Sequence, residues 1–144
     1  MVNTASPAPS QERRRGRRYP AAKLHARLRV KKGLFGDWVD VTPRDYNRLG
    51  IAIDTDQPLS ADQSIMLQIT LSVDMGDIVI DKVEGMIRNA QPKGSCTRYG
   101  VEFDFDASRH MRSEDTQKQL AKIEEILVRS ESLTQRMTDQ TMGR

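Results

Sequence analysis

The sequence predicts a mainly β protein, an antiparallel barrel or sandwich followed by one C-terminal helix. Three observations predict it. Apolar and polar residues alternate over several short runs, the pattern of strands with one buried face. Glycine- and proline-bearing turns separate those runs. From about Ser113 the apolar spacing changes to three and four, which is helical. The 144 residues make one ordinary domain.

The elements follow in order. Residues 1–12 are rich in Pro, Ser and Ala and are expected as a disordered tail. Residues 13–110 form the β domain, and residues 13–20, RRRGRRYP, are a basic arm leading into it. Leu24, Ala26, Leu28 and Val30 alternate with His25, Arg27 and Arg29, a half-buried strand. Gly33 and Gly36 flank a turn, and residues 38–41 form a second short strand, with Trp38 as packing. Residues 43–48 read as a polar loop, and residues 51–53 as a third strand. The clearest strand sets Ile65, Leu67, Ile69, Leu71 and Val73 against Gln68, Thr70 and Ser72. Residues 78–80 and 83–90 continue the sheet, with Gly85 at a bulge and residues 91–95 as a turn. Tyr99, Val101, Phe103 and Phe105 alternate in a closing strand. Leu120, Ile123, Ile126, Leu127 and Leu133 mark a helix over residues 111–137. Ser113 is its N-cap, and residues 138–144 are expected as a disordered tail. Packing of this helix on the sheet is favoured over a coiled coil, because Ser130 and Thr134 interrupt the heptad seam.

Composition narrows the function. Apolar residues are 37%, charged residues 30% and aromatic residues 5%, which describes a soluble chain with a modest core. No apolar run approaches the ~20 residues of a membrane span. The N-terminus lacks the apolar stretch of a secretory signal, so a cytoplasmic protein is expected. The single Cys96 excludes an internal disulfide and a cysteine-cluster metal site. His25 and His110 are far apart, and no phosphate-binding P-loop is present. Asp104 and Asp106 read as the solvent face of the closing strand, not as an acid–base pair. No catalytic and no metal-binding residue is assigned. The chain reads as a binding module and not as an enzyme.

Charge points to the ligand. The net charge of +3 hides ten bases and no acid in residues 13–32, above an acidic remainder. Such a cluster attracts phosphate, nucleic acid or an acidic protein surface. Nucleic acid is disfavoured, since the arm offers only Tyr19 for base stacking and the body is acidic.

Within the arm, Arg14 and Arg18 form Arg-x-x-x-Arg, and Arg13 and Arg17 satisfy the same spacing. Downstream, Asp45-Tyr46-Asn47-Arg48-Leu49-Gly50 precedes Ile51-Ala52-Ile53, and Tyr99-Gly100-Val101-Glu102-Phe103 closes the β region. Together these resemble the PilZ domain, the bacterial receptor domain for cyclic di-GMP, over roughly residues 12–130. The family signature is Arg-x-x-x-Arg followed by Asp/Asn-x-Ser-x-x-Gly. The resemblance implies a six-stranded antiparallel β-barrel with a C-terminal helix. It implies cyclic di-GMP as ligand, no cofactor and no catalysis. The ligand residues it implies are Arg14, Arg18, Asp45, Asn47 and Gly50, with Arg13, Arg15, Arg17 and Arg98 as additional candidates. Asn47 stands where the family usually has serine. Asp40-Val41-Thr42 is a second candidate start of the motif, with an insertion before Gly50.

The chemistry suits the ligand. A guanidinium fork binds phosphate bidentately and stacks on a purine. A carboxylate accepts from guanine N–H donors, and glycine permits close approach. Binding is expected to rearrange the arm and to signal through an unidentified protein partner in motility, secretion or exopolysaccharide control. The alternative is a PilZ-type protein-interaction module that binds no nucleotide. A monomer and a helix-mediated dimer both remain open.

Overall fold

A computed structural model describes residues 17–30, 37–74 and 76–142, the side chains of 134–142 excepted. Arg13, Arg14, Arg15 and the expected turn at Gly33 and Gly36 lie outside the described residues. The elements are β1 (Tyr19–Pro20), β2 (Leu24–Val30), β3 (Val39–Asn47), β4 (Gly50–Thr55), β5 (Ser64–Val73), β6 (Gly76–Lys93) and β7 (Cys96–Phe103). Two helices follow, α1 (Arg109–Arg112) and α2 (Glu114–Met142).

Six strands close into an antiparallel barrel in the order β2, β3, β4, β7, β6, β5 and back to β2. Closure removes exposed sheet edges. β1 is an outer strand on the same side of β3 as β2, pairing Tyr19 with Tyr46 and Pro20 with Asp45. The chain breaks between them at Ala21, whose N–H donates to the Arg44 carbonyl at 3.2 Å. The arm therefore enters the barrel as a strand laid along β3.

The alternating strands behave as their pattern requires. Leu24, Ala26 and Leu28 of β2 face the interior, and Ile65, Leu67, Ile69 and Leu71 of β5 are fully buried. Each such Leu or Ile side chain contributes about 1.5–3 kcal/mol of transfer free energy. Met111 of α1 and Leu120, Ile123 and Leu127 of α2 complete the same core. The helix thus packs on the barrel, against β1, β3 and β6. Ser113 accepts at Oγ from the Thr116 N–H at 3.2 Å, the N-cap arrangement. The helix runs to Met142, against the 111–137 of the periodicity. That is about 43 Å of helix.

Several local expectations are corrected. Residues 43–48 are not a loop: β3 is continuous from Val39 to Asn47, and only Arg48-Leu49 turn. Its polar outward face and Pro43 imitate a loop. A register shift between Pro43 and Asp45 accommodates the proline, which has no N–H for the ladder. Inward, Tyr46 is fully buried and its hydroxyl donates to the Leu120 carbonyl at 2.6 Å. Burial, reinforced by the Glu124 charge, drives that hydroxyl's pKa upward.

Gly85 is not at a bulge, since it pairs regularly with Ile65 and Phe103. Its role is close approach: a Cβ there would lie 2.8 Å from Val101 Cγ1. The irregularities of β6 fall instead opposite Leu67–Ile69 and between Ile87 and Asn89. The expected turn over 91–95 contracts to Gly94-Ser95, because β6 runs on to Lys93. β7 ends at Phe103, so Asp104 and Asp106 lie beyond the strand, where the Asp106 N–H donates to Asp104 Oδ1 at 3.0 Å.

Candidate functional site

The turn from β3 to β4 collects four of the residues singled out in the sequence. Asn47 pairs across it with Gly50, and Asp45 pairs with Ala52. The Asn47 Oδ1 accepts from the Leu49 N–H at 2.8 Å and the Gly50 N–H at 3.0 Å, so its side chain shapes the turn. Its Nδ2 donates to the Arg17 carbonyl at 3.4 Å, which ties the arm to the turn. The residue is 2% exposed. A serine has one oxygen for these tasks, whereas Asn supplies an acceptor and a donor at opposite ends of the amide.

Arg18 and Asp45 meet beside this turn. The Arg18 Nη1 donates to Asp45 Oδ1 at 3.2 Å, and both side chains are partly exposed. Gly50 lies beneath the guanidinium. A Cβ at Gly50 would sit 3.0 Å from Arg18 Nη2 and 2.5 Å from the Val101 carbonyl oxygen. Only glycine fits between β7 and that arginine. Asp40, the alternative motif start, pairs instead with Arg27 at 3.5 Å on the β2 side.

The arm and turn are also tied to α2. Arg17 reaches Glu131 at 3.1 Å and lies over the Tyr19 ring at 5.3 Å. Arg48 grips Glu124 through its backbone N–H at 2.8 Å and its guanidinium at 3.2 and 3.3 Å. Sequence reading did not assign Glu124 or Glu131 to the site. Their only signal is acidity on the polar side of the helix, a common feature of any solvated helix.

Arg98 does not join Arg18. It forks onto Asp54 at 2.8 and 3.1 Å, with Arg44 at 3.4 Å from the same carboxylate. The Arg98 hydrogen bond, with the charges of Arg98 and Arg44, holds the Asp54 carboxyl below the usual carboxylate range. A depressed carboxyl stabilises the fold above its ordinary range and loses that contribution as pH falls through the folded value. Thermal melts from neutral pH down to about pH 3 are expected to show declining stability. Asp54→Asn is expected to lower stability at neutral pH and to flatten part of the acid decline. Arg88, by contrast, reaches Asp62 at 2.8 Å and Glu102 at 2.7 Å on the outer face. Trp38 precedes β3 and lies beneath Arg29, 6.0 Å from ring centre to guanidinium.

Among the described residues no group of three His, Cys, Asp or Glu side chains is placed to hold a metal. Among them, too, no helix is long and apolar enough to cross a membrane.

No protein-family model matches the sequence, and no curated protein matches it. Solved structures do match by fold. The PilZ domain of YcgR from Escherichia coli, with c-di-GMP, is 16% identical, with a TM-score of 0.59 over 86% of this chain and 98% of that one. MrkH of K. pneumonia in its apo state is 18% identical, with a TM-score of 0.57 over 81% of this chain and 49% of that one. The MrkH–c-di-GMP complex gives 18%, 0.59, 82% and 53% in the same terms. This chain therefore spans about half the length of MrkH. Its fold is that of a PilZ domain.

Proposed function

We propose that the chain is a receptor for cyclic di-GMP that performs no catalysis. One observation carries the reading: Arg18 of the arm stands over Gly50 and beside Asp45, at the turn capped by Asn47. The likeness in fold to the YcgR PilZ domain with c-di-GMP and to the MrkH–c-di-GMP complex supports it.

Each residue then has a task. Arg18 exchanges the Asp45 carboxylate for a ligand phosphate, which its fork binds bidentately. Asp45, released, accepts from the guanine N–H donors. Gly50 lets the ligand approach the strand. Asn47 positions the turn and the arm, and its amide lies beside the ligand. Arg14, one arm repeat upstream, supplies a second guanidinium to the same ligand, with Arg13, Arg15 and Arg17 within the same charged segment.

The output follows from the ties to α2. Drawing the arm onto the ligand competes with the Arg17–Glu131 contact, so occupancy changes the surface formed by arm and helix. A protein partner reading that surface converts binding into a signal. A cytoplasmic location is part of the same proposal.

Isothermal titration of cyclic di-GMP into the purified chain tests the reading. The expected result is saturable binding at micromolar or lower concentration, with a shallow salt dependence because only two phosphates are neutralised. A flat titration of a folded protein overturns it and leaves a module that binds protein alone.

A further inference from the structure

β6 makes its second irregular step at Arg88. Ile87 pairs with Val101, but Asn89 pairs with Gly100, so one extra residue is inserted in β6. In regular alternation from the buried Ile87, Arg88 would point outward and Asn89 inward. The bulge turns both outward: Arg88 reaches Glu102, and the Asn89 carboxamide stands over Gly100. Its Oδ1, Nδ2 and Cγ lie 2.6, 2.8 and 2.9 Å from where a Gly100 Cβ would be. Bulges recur beside functional sites because they re-aim a side chain.

The re-aimed amide faces the motif. Asp45, Ala52, Gly100 and Asn89 are successive cross-strand partners on β3, β4, β7 and β6. Three strand spacings separate the ends, ~14 Å. Between them lie residues with almost no side chain, Ala52 and Gly100, with Gly50 on the adjoining row. Arg18 covers one glycine and Asn89 the other. Ala52 between them is 7% exposed, so a base reaches this floor when the side chains over it swing aside.

We infer that Asn89 is a base-contacting residue of the ligand site, facing Asp45 across the Ala52–Gly100 floor. This rests on the cyclic di-GMP reading. The carboxamide N–H donates to guanine O6 or N7, acceptors on the edge turned away from the N1–H and N2–H donors assigned to Asp45. Asp45 and Asn89 would then hold a base from opposite sides, and the floor would take its flat face.

Cyclic di-GMP titrations into the parent, Asn89→Ala and Ala52→Leu test this, with a thermal melt of each. Asn89 is exposed on β6, so its truncation is expected to leave the melt unchanged. Asn89→Ala is expected to weaken binding about tenfold. Ala52→Leu, which fills the floor, is expected to weaken it at least as much. If Ala52→Leu fails to fold, Asn89→Ala decides alone. An Asn89→Ala protein that binds with the parent's affinity overturns the inference and leaves the receptor reading standing. A parent that binds nothing overturns the receptor reading itself.

Discussion

Arg18→Ala is expected to weaken cyclic di-GMP binding by at least about thirtyfold while the protein still folds. The two effects separate because of where the side chain sits. Its native partner, Asp45, is 36% exposed, and a partly exposed ion pair contributes on the order of 0–1 kcal/mol. Its loss shifts the melt little. The bound phosphate, in contrast, loses a charge-assisted bidentate fork with no other described guanidinium over Gly50. Arg18→Lys is expected to recover only part of the affinity, since an ammonium keeps the charge and loses the fork. Calorimetry beside circular-dichroism melts reads both quantities. An Arg18→Ala protein with unchanged affinity would remove Arg18 from the site and leave the alternative arm register as the ligand arm.

Gly50→Ala is expected to reverse that balance, with stability and binding lost together. In a strand, replacing glycine by alanine ordinarily stabilises by about 0.4–1 kcal/mol through the unfolded chain. Here the new methyl would lie 2.5 Å from the Val101 carbonyl oxygen, a backbone atom in the β4–β7 ladder. It cannot rotate away, so the strands must separate. Overpacking of this kind costs about 1–3 kcal/mol, which exceeds the gain. The melting temperature is expected to fall by roughly 2–10 °C. The methyl also pushes on Arg18, so affinity falls in the same variant. A Gly50→Ala protein as stable as the parent would show that the turn relaxes without the ladder.

Much of this is legible in the sequence. Strand β5 declares itself, because five alternate apolar positions admit one register in a barrel that buries one face. The helix declares itself by its change of period and by Ser113. The arm and the Asp45–Gly50 turn declare themselves by residue type and spacing. The misreadings have a common cause. Residues 43–48 carry loop composition because the outward face of a barrel strand is polar, and Pro43 hides a strand that a bulge repairs. Asn47 is legible as part of the turn motif, whereas the bonds of its amide to Leu49, Gly50 and Arg17 depend on how the arm meets the turn.

What the sequence determined by itself is the class of protein: a small antiparallel β domain with a C-terminal helix and an arginine-rich arm. Hydrophobic period and charge are local properties, and local properties suffice for that. What the tertiary structure decided is which residues meet. The outer strand β1 carries Arg18 to Gly50, the Arg88 bulge turns Asn89 over Gly100, and α2 brings Glu124 and Glu131 to the turn and the arm. These contacts join positions far apart in the chain. They depend on strand register and barrel closure, which no single stretch of sequence encodes.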